Sequence, residues 1–358
     1  MSASSRPPRG FTRRAVLKAA AGLGAVSLGG CATRAPGPDR GAIRRENARP
    51  GTRDWMLVRT QVDPATRYRC PWIEGYCSRP SVRAGEVTHF HVSTNPPSPF
   101  RLDLFRMGHY GGLGGRQVAA LGPFPRVPQP DPPVGPERVR ECAWPPAASL
   151  TVPADWLSGV YVGRLTAERG GWQSYVIFIV RDDRPADLLF QCSDNTWQAY
   201  NRWPDQFALY DDGMQQWYCG PGVAVSFHRP YGKYCQILDA PLSTGSGGFF
   251  LWEFPFVFWL ESLGYDVTYV SNLDTHRDPD GLLRARGFLS VGHDEYWSLE
   301  MYRHVERAIA RGVSAGFFSG NTCCGRIEYR PGPVEAAGGS FARVDYFRPR
   351  DEGMIARF

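Results

Sequence analysis

The sequence predicts an antiparallel β-sandwich over residues 52–183, followed by a parallel-sheet α/β layer over residues 184–358. Two observations carry that expectation. The first half alternates apolar and polar residues between Pro/Gly breakers, densest from Gly122 to Pro136, with no amphipathic helix between them. The second half places short, wholly apolar runs between helical patterns, as strands buried on both faces require.

Taken in order, Val87–Ser93, Phe100–Arg106, Ser158–Leu165 and Ser174–Val180 alternate with the two-residue period of a half-buried strand. Beyond Arg184 the runs Leu188–Cys192, Val267–Val270, Phe288–Val291 and Ala315–Phe318 are the candidate parallel strands. A helix is expected from Phe254 to Leu263, stopped by Gly264. A second is expected from Leu299 to Ala310, ended by Arg311-Gly312 with its cationic last turn and helix-stopping glycine.

The N-terminus has a different character. Thr12-Arg13-Arg14-Ala15-Val16-Leu17-Lys18 precedes an uncharged run from Ala19 to Gly30 and then Cys31. The run is well short of the ~20 residues a spanning helix needs. Adjacent arginines before it, and Leu28-Gly29-Gly30-Cys31 after it, read as a twin-arginine lipoprotein signal over residues 1–31. The expected product is exported to the periplasm or cell surface, touches the membrane only through a lipid at Cys31, and carries a flexible Pro/Gly/Arg-rich tether over 32–51.

Hydrophobic content of 42% with 21% charge describes an ordered globular body. Part of the net charge of +6 belongs to the signal's arginines, and no later Lys/Arg cluster alternates with stacking aromatics, so nucleic acid is excluded as a partner. Of nine cysteines, those at 70 and 77 read as a small disulfide loop in an oxidising compartment, and the others as buried apolar residues. No Cys-x-x-Cys or His-x-x-x-His supports structural zinc.

In open parallel sheets ligands gather outside the carboxyl ends of the strands. The first run leads into Ser193-Asp194-Asn195-Thr196-Trp197-Gln198-Ala199-Tyr200-Asn201, the third into Gly292-His293-Asp294-Glu295-Tyr296-Trp297-Ser298, and the fourth into Ser319-Gly320-Asn321. A carboxylate, an imidazole, an amide and a phenol thus converge on one crevice. Asp294 and Glu295 also precede a helix, where carboxylates are favoured anyway. Spacing alone leaves Glu295 open between helix cap and metal ligand, and His293 between structural residue and proton carrier.

These residues resemble the N,N-dimethylformamidase large (beta) subunit-like family. The likeness rests on Phe105 to Gly112, Ala143-Trp144-Pro145, Thr196 to Asn201, Val225 to Tyr231, Trp259 to Val267, Gly292 to Ser298 and Phe318 to Asn321. It implies a glutamine-amidotransferase-like α/β layer and an iron-dependent hydrolase of C–N bonds in small-molecule amides. It further implies a mononuclear ferric ion held by one glutamate and two tyrosines. By motif position these are Glu295, Tyr200 and Tyr231, with His293 and Asn321 as catalytic helpers. Tyr210, Tyr218 and Tyr234 compete for the tyrosine places, and Asp294 reads as a cap. The family's α/β part usually continues past the point where this chain ends at Phe358, and Thr322-Cys323-Cys324 stands where an aromatic pair is expected, so catalytic groups from later sequence are absent. The alternatives are a non-catalytic cell-surface protein binding a ligand such as a glycan, and a hydrolase with Cys192 or Cys323 as nucleophile. Substrate and oligomeric state, including a homo-oligomer, stay open.

Overall fold

Alternation in the first half becomes two sheets packed on a common core. The protein is described by a computed structural model over residues 41–215, 217–233, 243–330 and 340–346, all within one compact unit spanning Pro38–Phe358. The expected signal and Cys31 lie outside these residues, as does Tyr234.

Part of the stretch expected as a tether, residues 42–47, is helical. Helix α1 (Ala42–Asn47) buries Ile43 and Glu46, and Asn47 Nδ2 donates to Glu261 Oε2 at 2.8 Å. One apolar anchor and two buried polar contacts hold this stretch against the body despite its Arg-rich sequence.

Strands β1 (Glu74–Cys77), β2 (Ser81–Arg83), β3 (Val87–Ser93), β4 (Phe100–Met107), β5 (Gly115–Phe124), β6 (Ala148–Thr151), β7 (Gly159–Ala167) and β8 (Gln173–Arg181) follow. They form a three-stranded sheet, β1-β3-β6, and a five-stranded sheet, β2-β8-β7-β4-β5, antiparallel except for the β2–β8 pair. Phe90 and Val92 from β3 meet Leu102, Leu104, Leu165, Val176 and Phe178 from the other sheet in a buried core. The alternation of these strands is what allows two sheets to share that core.

Cys70 and Cys77 are free. Cys77 is buried among the apolar side chains between the sheets, while the Cys70 thiol donates to the Gln173 carbonyl at 3.8 Å, so each sulfur has its own buried environment.

The apolar runs of the second half form a parallel sheet, β9 (Ala186–Cys192), β11 (Val267–Ser271), β12 (Ala285–Gly292) and β14 (Ser314–Ser319), in the spatial order β11-β9-β12-β14. Between them lie α2 (Asp194–Ala199), β10 (Ala224–Ser226), α3 (Phe249–Trp252), α4 (Phe254–Ser262), α5 (Asn272–Arg277), β13 (Tyr296–Trp297) and α6 (Leu299–Ala310). The two expected helices are α4 and α6. In α6 the Ser298 side chain accepts from Met301 N at 3.2 Å, supplying the cap. Composition did not announce a further four-stranded sheet, β10-β16-β15-β13, completed by β15 (Gly325–Arg330) and β16 (Ser340–Tyr346). Its strands are short and come from distant stretches, so no single window shows them. The architecture is mixed α/β, with parallel and antiparallel sheets and few helices.

The halves join through a shared core in which Phe105, Val160 and Tyr175 meet Phe190, Leu260, Tyr269 and Leu289. At that joint Arg106 Nη2 donates to Glu261 Oε1 at 2.8 Å, both side chains fully buried, and Tyr269 Oη donates to the same oxygen at 2.8 Å. Among the described residues no helix is long and apolar enough to cross a membrane.

Candidate active site

Strand order places a switch point between β9 and β12. Those strands are neighbours, but the chain leaves β9 toward β11 on one side and leaves β12 toward β14 on the other. A crevice opens at such a point beyond the strands' carboxyl ends. The segment after β9 carries Tyr200, and the segment after β12 carries His293 and Glu295.

Asp294 sets the geometry of the second segment. Its carboxylate accepts from Gln191 Nε2 on β9 at 2.6 Å, from Asn272 Nδ2 after β11 at 2.9 Å and from Ser290 Oγ on β12 at 2.8 Å, while its N–H donates to Ser319 Oγ at the end of β14 at 2.8 Å. One buried residue, through its carboxylate and its N–H, therefore ties together the strands or strand ends of all four parallel strands, a larger part than the helix cap read from its position. Burial pushes its carboxyl up to about 6 against those hydrogen bonds. Gly292, at φ 89°, makes the turn that starts the segment. The Glu295 N–H then donates to Thr196 Oγ1 on α2 at 3.0 Å, fixing the two segments to each other.

Glu295 meets two phenols. Tyr200 Oη, at the end of α2, donates to Glu295 Oε2 at 2.8 Å, and Tyr210 Oη donates to Oε1 at 2.8 Å. The two hydroxyls are 2.7 Å apart. His293 Nε2 lies 3.2 Å from Glu295 Oε2 and 3.2 Å from Asn321 Nδ2. That nitrogen can donate to the carboxylate or accept from the amide, so the tautomer decides which link exists. Burial pulls His293 below the ordinary histidine range, with Glu295 opposing. Asn321 sits at φ 52°, a left-handed conformation that asparagine tolerates, in a turn closed by Cys324 N donating to its carbonyl at 3.0 Å.

Four of the five expected residues, Glu295, Tyr200, His293 and Asn321, are thus brought together. Tyr231 is not brought to Glu295: its ring packs edge-on to Trp197 at 6.3 Å, beside the core that joins the sheets. The place expected for Tyr231 is filled by Tyr210. Leu209 N donates to the Ala199 carbonyl at 2.8 Å, and Tyr218 N to the Tyr210 carbonyl at 2.8 Å, curling the chain so that the Tyr210 ring stands 4.6 Å from that of Tyr200. Nothing in local pattern separates Tyr210 from its neighbours, because the curl depends on contacts far along the chain.

Arg343 supplies one such contact, donating to the Leu209 and Tyr218 carbonyls at 2.8 and 3.0 Å with its guanidinium 5.3 Å from the Tyr210 ring. Arg229 is its counterpart on the other side of the curl. It is fully buried and donates to the carbonyls of Trp203, Phe207, Gln198 and Asn201, and burial pulls it down to about 9. One of these two carbonyl-held cations, Arg343, stands beside a phenol of the site.

The triangle of side chains formed by Glu295, Tyr200 and Tyr210 is short of protons. With Glu295 ionised, the two hydroxyl protons both point at the carboxylate and none is left for the 2.7 Å contact between the tyrosines. A third positive charge, a proton or a cation at the centre, completes it. Burial, followed by Tyr296, Glu295 and Tyr200, drives the Tyr210 hydroxyl far above the ordinary phenol range. The hard anionic donors that a carboxylate and two phenols can supply fit a ferric ion. Among the described residues no group of three His, Cys, Asp or Glu is placed to hold a metal ion.

Cys192 and Cys323 are both buried, and burial pushes both thiols well up, which disfavours the thiolate a nucleophile needs. A search of curated proteins returns no match. The profile described as N,N-dimethylformamidase beta subunit-like, C-terminal, matches residues 101–346, a span holding every residue of the side-chain triangle, and the chain belongs to that family.

Proposed function

We propose that this chain is a metal-dependent hydrolase of C–N amide bonds in small molecules, with iron held by Glu295, Tyr200 and Tyr210. The observation that carries the reading is the closed ring of four oxygens at the switch point of the parallel sheet, in which the Tyr200 and Tyr210 hydroxyls stand 2.7 Å apart and each lies 2.8 Å from a different carboxylate oxygen of Glu295. Family membership supports a hydrolase of amides. Strand order supports a doubly wound layer of amidotransferase type behind a β-sandwich.

A ferric ion bound there would supply Lewis acidity to polarise a carbonyl and acidify a water. The chain's own groups divide the remaining work. His293 Nε2, within reach of Glu295, takes the proton from the attacking water as its oxygen bonds to the carbonyl carbon. It returns that proton to the amine as the C–N bond breaks. Asn321 Nδ2 donates to the carbonyl oxygen as negative charge develops. Glu295 and the two tyrosines hold rather than react, and Arg343, 5.3 Å from the Tyr210 ring, favours the anionic form of that phenol.

The charge order at the N-terminus supports export by the twin-arginine route and a lipid anchor at Cys31. The test of the function is turnover of simple amides, read as amine release, by the iron-loaded protein and its Glu295→Ala variant. Turnover lost in the variant is expected. Full activity without Glu295 would overturn the reading, and the absence of turnover by either protein would favour a ligand-binding protein.

A further inference from the structure

Two residues beyond Tyr200 stands a buried cation of a different kind. Arg202 is 1% exposed, yet among the described residues Nε, Nη1 and Nη2 all lack a hydrogen-bond partner. Arg229, also buried, places its donors on carbonyl oxygens. The Arg202 guanidinium carbon lies 4.8 Å from the Trp217 ring and 5.8 Å from the Tyr68 ring, contacts that do not satisfy its N–H groups. A guanidinium stacked on rings keeps its edge free for a planar, bidentate partner, and a carboxylate has that shape and charge.

Position links this edge to the side-chain triangle. Trp217 contacts both groups, its ring 5.7 Å from that of Tyr210 as well as 4.8 Å from the Arg202 guanidinium. It is 47% exposed and sits at φ 65°, a backbone conformation a tryptophan holds only under strain. Its neighbours Gly213, Met214 and Gln215 are exposed too. Trp217 thus stands at the surface against both Arg202 and Tyr210. Arg229 and Arg343 add positive charge around the same curl, which repels cationic ligands and attracts anionic ones.

We propose that Arg202 is the anchor for a carboxylate on the substrate, and that the chain acts on amides bearing such a group. The proposal rests on the amidase reading for the site's chemistry, but the anchor is tested by binding alone. The probes are N-acetylglycine and its neutral analogue N-acetylglycinamide, titrated calorimetrically into the full chain and into Arg202→Met and Arg202→Lys variants. The wild type should prefer N-acetylglycine by roughly tenfold or more, as a charge-assisted bidentate pair allows. Arg202→Met should bring the ratio to about one without lowering the melting temperature, because it removes an unpartnered buried charge. Arg202→Lys keeps the charge but loses the fork, so its ratio should fall between the two, and it provides the reading if the Met variant does not fold.

Equal affinity of the wild type for both probes would overturn the anchor. So would a Met variant that retains the preference, or one that melts far lower while the Lys variant keeps the wild-type ratio, since Arg202 would then be a structural cation. Preference for N-acetylglycine without hydrolysis of any amide would uphold the anchor while removing the amidase reading. Hydrolysis of both probes with equal affinity would do the reverse.

Discussion

At the residue scale, Tyr210 and Tyr231 show what a side chain's surroundings decide. Tyr210 is buried and Tyr231 partly buried in the same stretch, but one faces a carboxylate and a second phenol while the other packs on Trp197. Glu295 and His293 were legible in the sequence because they follow an apolar run directly, so the strand's end places them. Tyr200 stands beyond a helical turn, at the end of α2, and was legible through the family motif Thr196 to Asn201. Tyr210 was only one of several competitors, since a curl held by Arg343 from far along the chain brings it in. His293 touches Glu295 without completing the side-chain triangle, and that separates its role from the ligands'. His293→Gln should therefore lower kcat by roughly 10²–10⁴-fold while iron content stays at the wild-type level. Steady-state amide turnover alongside metal analysis checks this, and undiminished turnover would remove His293 from the mechanism.

At the element scale, the site depends on how β12 ends. Gly292 has φ 89°, and a Cβ there would meet the Trp252 Cβ at 2.7 Å. Both the turn and the close approach require glycine. Gly292→Ala should cost about 1–3 kcal/mol and displace His293 and Glu295 together, weakening iron affinity along with stability. Urea unfolding and an iron titration on one preparation would show the two effects moving in step, whereas a loss of stability with unchanged iron affinity would contradict the coupling. The parallel strands and both long helices were visible as apolar runs and periodicity. Strands β10, β13, β15 and β16 were not, because β10 pairs with β16 from far along the chain and β13 is only two residues long. Helix α1 was missed for another reason, since its arginines hid the single buried Ile43 that anchors it.

At the scale of the whole molecule, one buried ion pair couples the halves. Glu261 on α4 accepts from Arg106 on β4, from Tyr269 on β11 and from Asn47 on α1. Removing the carboxylate strands a fully buried guanidinium, which typically costs about 3–5 kcal/mol. Glu261→Ala should therefore shift a single cooperative unfolding transition, with near- and far-UV circular dichroism moving together. Separate transitions for the two halves would show that the pair does not couple them. Composition anticipated two cored layers, but the Arg106–Glu261 contact joins residues from different layers and left no local signal.

The most direct test of the account is iron stoichiometry in the wild type, Tyr210→Phe and Tyr231→Phe after loading with ferric iron. The triangle of Tyr200, Tyr210 and Glu295 predicts about one iron per chain in the wild type and in Tyr231→Phe, and a clear loss in Tyr210→Phe. Iron retained by Tyr210→Phe but lost from Tyr231→Phe, or no iron in any of the three, would contradict it.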